Sequence, residues 1–499
     1  MTIQEIENIY GRSSQAKALL DLLGKKLVKM ISLKGLVCSS APIFFASVYQ
    51  QLGQTVLFVL DDADEAGYFY HDLTQMMGQE NVFFFPSSYR RAIKYGQKDA
   101  ANEILRTEVL ARLSQNRNLF VVSYPDALAE LVVTKKKLDE RILKLSVSQE
   151  IALSNIVHTL RDFGFEETDY VYEPGQFAVR GSILDVYSYS CEFPFRIDFF
   201  GDEIDSIRTF DVESQLSKVK RECIEIVPEL SSLESEKQPI FSFLGEDTIV
   251  VMKDFVFLHD RIEQIYHDGF SAQSLTEQLE GATEMEAEQI RQRMKKELNL
   301  CTTTQLKEGL AERVRIEMGH VDKNPNALEE EGKSSACIHF NIQPQPLFHK
   351  NFELLAKTLE DYLLQKYTLY ILADSQKQQQ RLKDIFDGED LQRYQISFVP
   401  VDKTIHEGFV DSDKKCCFFT DHQIFDRFHK YNLRSDSARA GKMALTMKEL
   451  QEMEPGDFIV HVDFGIGKFG GLVRVPTGES YQEMIRIVYK NNDKVDVSI

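Results

Sequence analysis

The stretch FAVRGSILDVYSYSCEFPFRIDFFGDEIDSIRTFDVESQ, residues 177–215, decides the fold of the middle of this chain. From Phe195 to Phe200, apolar and polar side chains alternate, as they do in a strand with one buried face. A glycine–aspartate turn follows, after which the apolar pattern resumes. The alternation places Arg196 and Phe200 together on the polar face. A phenylalanine there is typical of a docking surface, and an arginine beside an aromatic ring is the composition of an interface hot spot.

The same pattern also has a purely structural explanation. Aspartates and arginines alternate with apolar residues along the predicted strands, so the polar face can be a set of surface salt bridges with one stray aromatic ring. The pattern alone does not separate this interpretation from a docking surface.

The segment resembles the small second domain that the excision-repair protein UvrB shares with the transcription-repair coupling factors. The phrases AVRGSILDVY and FPFRIDFFGDEIDSIRTFD carry the likeness. The resemblance implies a surface that binds UvrA. It places Arg180, Arg196 and Phe200 on the positions that the family uses for UvrA contact, with Arg208 close to them.

Residues 35 to about 140 alternate short apolar runs with helical patterns, which predicts a parallel sheet covered by helices on both faces. We expect strands at 35–39, 55–60, 82–85 and 119–123 and helices at 42–52, 63–77 and 99–113. A later apolar run, 248–252, is expected to re-enter this sheet. The stretch 275–318 has a helical pattern interrupted near 301–304 and is expected to pack along the outside.

The loop after the first predicted strand argues against a nucleotide site. A phosphate-binding version of this fold has GxxxxGK[ST] there, because glycine amides surround the phosphates and a lysine neutralises them. Here the sequence is CSSAPIFF at 38–45, without glycine or lysine. Asp61 and Asp62 are interpreted as the start of a helix rather than as a magnesium site. We therefore expect no ATP and no other cofactor.

Relatives of the UvrB type carry a long tyrosine-rich hairpin that inserts into damaged DNA, where aromatic stacking suits such a wedge. The corresponding region here, 85–96, is short, and after Phe85 it offers five aromatic or basic residues: Tyr89, Arg90, Arg91, Lys94 and Tyr95. This departure argues against direct recognition of lesions. A solvated loop is the plain alternative to a contact with DNA or with a motor domain.

The segment 336–433 predicts a second small α/β domain. Its expected elements are strands at 369–373, 396–401 and 416–420 and a helix at 376–385. A polar linker follows, and Thr446 with Glu449 forms a capping-box pattern for a short helix. From Pro455 onward the chain is rich in strand patterns. The GIGKFG run at 465–470 fits GxGxxG, but it continues as a strand rather than a helix, which argues against a dinucleotide site.

The tail phrases EPGDFIVHVDFGIGKFGGL and IRIVY resemble the RNA-polymerase-interacting module of the coupling factors, a small Tudor-like barrel also found in CarD-type regulators. Residues 491–493, NND, fit its hairpin turn. The resemblance implies that the sequence stops inside the closing strands. It also implies that an ATP-driven DNA translocase motor, which makes most of the DNA contacts, lies outside this chain.

Together these observations predict an α/β multidomain chain. It has a degenerate P-loop-like parallel sheet, an inserted small α+β UvrA-binding module, a second small α/β domain and a truncated C-terminal Tudor-like β-barrel. The expected boundaries are 1–141 and 228–335 for the two parts of the first domain, 142–227 for the module, 336–433 for the second domain, 434–452 for the linker and 453–499 for the RNA-polymerase-interacting domain.

The composition limits the partners and the location. The formal net charge is −20, which argues against nonspecific wrapping of DNA. The sequence lacks both a signal peptide and an apolar run of the roughly 18 residues that a membrane span needs. Seven scattered cysteines without a CxxC pattern, and eleven histidines that do not cluster, argue against a metal site. We expect a cytoplasmic monomer with reduced thiols and no membrane contact.

The favoured hypothesis is a non-enzymatic adaptor that binds UvrA through the module and the β subunit of RNA polymerase through the tail. The sequence offers no catalytic residue. The competing hypothesis is a UvrB-like ATP-dependent damage-verification protein, against which the missing phosphate loop and the short hairpin both argue. A third hypothesis is a regulator that acts on the polymerase through the tail alone.

Overall fold

The chain forms several sheets of different kinds. Sheets of seven, six, five and four strands are present, together with two two-stranded ribbons. This is the multidomain α/β architecture that the sequence predicts. The computed structural model describes residues 3–25, 28–88, 100–115, 118–212, 215–230, 237–268, 300–318, 335–388, 391–431, 433, 453, 455–461, 465–477, 480–490 and 493–498.

The seven-stranded sheet is built from short, buried strands. Its spatial order is Ser335–His339, Met30–Lys34, Val314–Glu317, Ile249–Met252, Val56–Val59, Phe120–Ser123 and Val82–Phe84. Every neighbouring pair is parallel. The strands VLFV, IVVM and FVVS are buried at every position, as expected where both faces are covered. The predicted parallel sheet and the return of 248–252 to it are therefore confirmed.

Helices pack around this sheet. They are Ile3–Gly11, Ser14–Lys25, Ser40–Leu52, Ala63–Met77, Ala100–Gln115, Pro125–Ala129, Lys135–Asp139, Phe255–Asp268 and Thr303–Ala311, with a 3-10 turn at Ile240–Phe243. The Asp62 side chain accepts hydrogen bonds from the amides of Asp64 and Glu65. This cap confirms that the aspartate pair begins a helix.

Two predicted elements are wrong. The first strand is Met30–Lys34, and 35–39 form the loop after it. Gly35 ends the strand because its φ of +89° is left-handed and a Cβ there would lie 2.1 Å from the Phe340 carbonyl oxygen. The end of the predicted outer helix, Val314–Glu317, is instead a strand of the large sheet. Within the same prediction, Thr303–Ala311 is a helix as expected, and 275–299 lies outside the described residues.

The inserted module is a six-stranded sheet with one helix. Its spatial order is Ser217–Arg221, Glu203–Phe210, Phe195–Phe200, Ile183–Val186, Gln176–Arg180 and Glu166–Glu167, and its helix is Leu153–Asp162. A ribbon of Leu143–Ser146 and Cys223–Ile226 joins its two ends. A second ribbon, Val132–Val133 with Lys237–Gln238, pairs the chain where it leaves the first unit and where it returns. The insertion is thus closed at its base by antiparallel pairing.

The second α/β unit has a mixed five-stranded sheet. Its spatial order is Ile342–Pro344, Phe409–Asp411, Cys416–Thr420, Thr368–Leu372 and Val399–Val401, with helices Phe352–Leu364, Gln376–Phe386 and Asp421–Ile424. The three predicted strands and the helix at 376–385 are confirmed within a few residues. The strand at 335–339 pairs with the first sheet, so the chain enters the second unit after His339.

The two α/β units share one hydrophobic core. Buried Tyr370, Phe409 and Phe418 of the second unit belong to the same apolar cluster as the helices and strands of the first unit. The Tyr10 hydroxyl of the first helix donates to the Asp411 carboxylate, 2.9 Å away. The second unit is therefore packed onto the first through buried apolar and polar contacts.

The tail forms a four-stranded antiparallel sheet. Its strands, in both sequence and spatial order, are Phe458–His461, Gly465–Thr477, Ser480–Val488 and Lys494–Ser498. The long second strand confirms that the GxGxxG run is not followed by a helix. Residues 491–492 and the predicted capped helix near Thr446 lie outside the described residues.

Among the helices that the structure describes, none combines the length and the apolar character needed to cross a membrane.

Candidate functional site: a salt-bridged face of the inserted module

The register of three strands brings the predicted site residues onto one face. Arg196 lies directly across from Asp185 on the neighbouring strand. Arg180 ends the next strand and pairs with Ile183, two residues from Asp185. Phe195, Ile197 and Phe199 are buried in the core on the other face, as the alternation predicts. The strand period of two therefore turns Arg196 and Phe200 away from that core.

Asp185 is the centre of this face. Its side chain is fully buried and accepts two hydrogen bonds from Arg196, from Nε at 2.8 Å and from Nη2 at 2.9 Å. Arg180 donates to the same carboxylate. Hydrogen bonds to Asp185 raise the pKa of Arg196 above its ordinary value, against the opposite effect of burial. One carboxylate thus fixes two guanidinium groups in charge-assisted contacts.

Aromatic rings complete the support of both arginines. The Arg196 guanidinium lies 4.5 Å from the centre of the Phe210 ring, and that of Arg180 lies 4.9 Å from the centre of Tyr170. Phe210 is buried in a small apolar cluster on this second face. Arg196 also donates to the Gln215 carbonyl oxygen at 3.1 Å. Because these contacts restrict both side chains, little side-chain conformational entropy would be lost when a partner binds.

The face carries more positive than negative charge near Asp185. Two guanidinium groups share one carboxylate, and the Arg180 side chain remains 35% exposed whereas Arg196 is 15% exposed. Arg208 pairs separately with Asp198, which also accepts from the Ser206 hydroxyl. A carboxylate on a partner would therefore meet an incompletely neutralised arginine pair.

Phe200 lies at the tip of the hairpin that Phe195–Phe200 forms with Glu203–Phe210. Its side chain is 82% exposed, next to the turn at Gly201, whose φ is +65°. Such an exposed ring has no role in the core of the module, so its removal leaves the packing intact. The structure thus places a fixed cationic pair and an exposed aromatic ring on one sheet, with Arg196 and Phe200 on the same strand and Arg180 two strands away.

The sequence did not reveal the role of Asp185. The signal was a single aspartate inside the apolar run ILDV, at a position that is buried in the structure. A buried acid needs a paired cation, so this aspartate predicts an arginine partner. The partner itself follows only from the strand register.

The junction after the first strand is occupied by the second unit. The Ser39 amide donates to the Glu407 carbonyl oxygen at 3.3 Å, and the Glu407 amide donates to the Ser39 hydroxyl at 2.9 Å. Burial and the neighbouring Glu407 raise the pKa of the Cys38 thiol to about 12. The amide and hydroxyl at the start of the following helix are thus bound to protein rather than turned outward.

The start of the short hairpin region is held by a buried ion pair. Glu130 accepts from the hydroxyl groups of Ser87 and Ser88, each at 2.5 Å, and lies 3.5 Å from the Arg106 guanidinium. Arg106 also lies over the Phe85 ring, 4.2 Å from its centre. The five residues named above for this region, from Tyr89 to Tyr95, lie outside the described residues.

The prediction that the histidines do not cluster is wrong. His71, His406, His422 and His429 come together where the second α/β unit meets the helix Ala63–Met77. These residues are far apart in sequence, so only the packing of the two units brings them into contact.

Comparisons with known proteins agree with this architecture. The UvrB interaction domain family matches residues 143–231, and the CarD-like/TRCF RID domain family matches 453–499. The transcription-repair-coupling factor of Bacillus subtilis (strain 168) is 21% identical over all of this chain and 46% of its own length. That of Staphylococcus aureus (strain USA300) is 22% identical over 93% of this chain and 44% of its own length.

The chain spans about half the length of the curated relatives it matches. Its two matched domains lie at the inserted module and at the C-terminal sheet. Along its whole length this chain is therefore a homologue of the amino-terminal half of the bacterial transcription-repair coupling factors, with a UvrB interaction domain and a CarD-like/TRCF RID domain.

Proposed function

We propose that this chain is the recruitment region of a transcription-repair coupling factor. It binds UvrA through the salt-bridged face of the inserted module and the β subunit of RNA polymerase through residues 453–499. The two matched domain families and the homology along the chain support this role. The observation that carries it is the pair of arginines fixed on buried Asp185, together with exposed Phe200 at the end of the strand that carries Arg196.

The chemistry of this face suits a partner with carboxylates around an apolar pocket. Arg180 and Arg196 supply the positive charge that Asp185 does not neutralise, and Phe200 supplies an exposed aromatic anchor. Pre-positioned arginines and exposed aromatic rings are the residues that most often carry the binding energy of an interface. Because the arginines are already ordered, UvrA would bind a surface that needs little rearrangement.

The resulting mechanism is tethering rather than catalysis. An adaptor that holds UvrA and RNA polymerase together raises the local concentration of the repair machinery at a stalled polymerase. In this proposal, ATP-driven DNA translocation and most DNA contacts belong to the part of the full-length relatives beyond the matched half. The tail sheet would be part of a Tudor-like barrel, and the chain would act as a monomer in the cytoplasm.

The competing function, ATP-dependent damage verification, has less support. The stretch GLVCSSAP at 35–42 keeps one glycine but lacks the second glycine and the lysine of a phosphate loop. Contacts with Glu407 occupy the amide and the hydroxyl of Ser39 at the helix start, where phosphate would bind. We therefore assign no nucleotide to this junction.

A bridging experiment tests the adaptor role. Immobilised RNA polymerase should retain purified UvrA only when this chain is added. Arg180→Gln should still bind the polymerase but should retain about a tenth or less of the UvrA, because it removes a positive charge that would face an acidic partner while its side-chain amide can still donate to Asp185. The control is Arg161→Gln on the helix Leu153–Asp162, which packs against the opposite, core-facing side of the sheet. Equal retention of UvrA by the two variants would contradict the assignment of the face.

A further inference from the structure

Four histidines from distant parts of the sequence meet at the contact between the two α/β units. The rings of His422 and His429 are stacked with their centres 4.5 Å apart, and His71 lies 5.1 Å from His429. His406 is stacked on Tyr68 at 3.5 Å. His71 and Tyr68 belong to the helix Ala63–Met77 of the first unit, and the other three histidines belong to the second unit and the segment that follows it. The cluster thus lies across the contact between the two units, which we call the joint.

The same joint contains direct polar contacts. The His406 amide donates to the Asp72 carboxylate at 2.8 Å, and the Tyr68 hydroxyl donates to the His429 carbonyl oxygen at 2.9 Å. The Tyr431 ring packs so closely on Gly67 that a Cβ there would lie 2.4 Å from it. The Ser39–Glu407 contacts lie at the next residue of the same loop. The cluster and these bonds together hold the segment 402–408 over the strand–helix junction.

The histidines are placed as neutral rings. Among the described residues, Nε2 of His71 and Nδ1 of His406 and His429 are buried without a hydrogen-bond partner. Burial, reinforced by the neighbouring histidines, lowers the pKa of His71 and of His406 to about 4. Burial also lowers the pKa of His422 and of His429. A proton on any of these rings would be a poorly solvated charge beside its neighbours.

We propose that the four histidines form a protonation-sensitive latch, which holds the segment 402–408 of the second α/β unit over the strand–helix junction of the first unit while they are neutral and releases this segment when they are protonated.

Other charged groups face the latch and set its response. They are Asp72 on the first unit, and Asp374, Lys403, Glu407, Asp421 and Arg427 on the second. Asp72 opposes the histidines: its burial raises its pKa to about 7, so the closed joint takes up a proton there as the pH falls. On acidification, protonation of the histidines therefore destabilises the closed joint, and protonation of Asp72 offsets part of this loss.

The sign follows from the direction of the shifts. A histidine whose pKa is lowered in the closed joint binds a proton more tightly when the joint is open. The histidines therefore contribute their full stabilisation of the closed joint above about pH 6.5 and lose it as the pH falls toward about 4. Between about pH 7.5 and 5.5, His71 and His406 each favour opening by roughly tenfold, and Asp72 opposes by roughly twentyfold. The other two, His422 and His429, also favour opening on acidification. We therefore expect the equilibrium constant for opening to increase severalfold over this pH range.

The geometry favours a latch over a metal site. Stacked imidazole rings such as those of His422 and His429 present faces, not lone pairs, to each other. Among the described residues, the group whose ligand atoms come within 4.8 Å of one another is His259, Asp260 and Glu263 on a different helix. The latch histidines are therefore not arranged to share an ion.

The seven native cysteines provide the test. Cys38 lies half-buried in the junction under Glu407, Cys223 is exposed, and Cys301 and Cys417 are buried elsewhere. The chain is treated with 4,4′-dithiodipyridine, a disulfide that reacts with thiols in acidic solution, and each cysteine is followed by mass spectrometry. The rate at Cys38 relative to exposed Cys223 reports opening of the joint. Protection of Cys301 and Cys417 shows that the units themselves remain folded.

The latch predicts a severalfold rise in the Cys38 to Cys223 ratio from about pH 7.5 to about pH 5.5, with Cys301 and Cys417 still protected. Asp72→Asn keeps an oxygen for the His406 amide and removes the opposing proton site, so its rise should be larger. The double variant His71→Phe with His406→Phe keeps aromatic rings but cannot take up these protons, so its ratio should not rise.

Three results would overturn the latch. The first is a flat ratio in both the unmodified chain and Asp72→Asn. The second is an undiminished rise in the phenylalanine double variant. The third is labelling of Cys301 and Cys417 in step with Cys38, which would indicate global unfolding. Protection of Cys301 and Cys417 at neutral pH shows whether each variant has folded.

Discussion

Asp185→Ala should destabilise the inserted module by about 3–5 kcal/mol, because removing one partner of a buried ion pair leaves the other charge uncompensated. Asp185 is fully buried, and it accepts hydrogen bonds from both Arg180 and Arg196. Arg196 lies between the sheet and Phe210 and cannot simply turn into water. Because the chain has several units, the measurement is native-state hydrogen exchange of the amides in Ile183–Val186 and Phe195–Phe200.

Asp198→Ala is the matched control for this prediction. Asp198 lies on the same face and also pairs with an arginine, but both side chains of that pair are partly exposed. Water can solvate Arg208 when its partner is removed, so the loss should be small. If the two alanine variants lose the same stability, Asp185 is not the organising residue of the face.

Glu130→Ala should cost the first α/β unit a similar amount, about 3–5 kcal/mol, because it leaves the Arg106 guanidinium buried without its carboxylate. Only 6% of either side chain is exposed. The change also removes the acceptor of the Ser87 and Ser88 hydroxyl groups and of the Ser88 amide. We expect the first unit to unfold at a lower urea concentration. The measurement is hydrogen exchange of the amides in Phe120–Ser123 as a function of urea concentration.

The control for this second prediction is Glu140→Ala, which removes a carboxylate from an ion pair with Lys137 whose two side chains are about half exposed to water. Its exchange profile should match that of the unmodified chain. If Glu130→Ala and Glu140→Ala unfold at the same urea concentration, the buried pair contributes no net stability.

Much of the fold could be predicted because local patterns agree with the packing. The run TVLFVL gave the buried strand Val56–Val59, and Asp62 gave the start of the helix Ala63–Met77. The first strand was misplaced because Gly35 ends it through a contact with Phe340, three hundred residues away in sequence. A contact of that kind leaves no periodic trace along the chain.

In the candidate site too, some features follow from the local sequence pattern and others only from tertiary packing. Alternation was enough to place Arg196 and Phe200 on the face away from the core. It could not show that Asp185 holds two arginines or that Phe210 lies beneath Arg196, since both follow from strand register. The histidine cluster was missed for the same physical reason: its four members lie on separate segments that only the packing of two units brings together.

The internal pairing also changes the choice of test residue. Charge reversal at Arg196 would set a second carboxylate against buried Asp185, so a loss of binding could reflect a loss of folding. Phe200 avoids this difficulty because its side chain is 82% exposed. Phe428, which is 85% exposed on the second α/β unit, offers the same substitution at a site without a proposed partner.

The most direct measurement is a binding titration of purified UvrA with the unmodified chain, Phe200→Ala and Phe428→Ala. The account predicts that the unmodified chain and Phe428→Ala bind UvrA with equal affinity and that Phe200→Ala binds about thirtyfold more weakly, which corresponds to about 2 kcal/mol. Equal affinities for all three proteins, or no binding of UvrA by the unmodified chain, would contradict it.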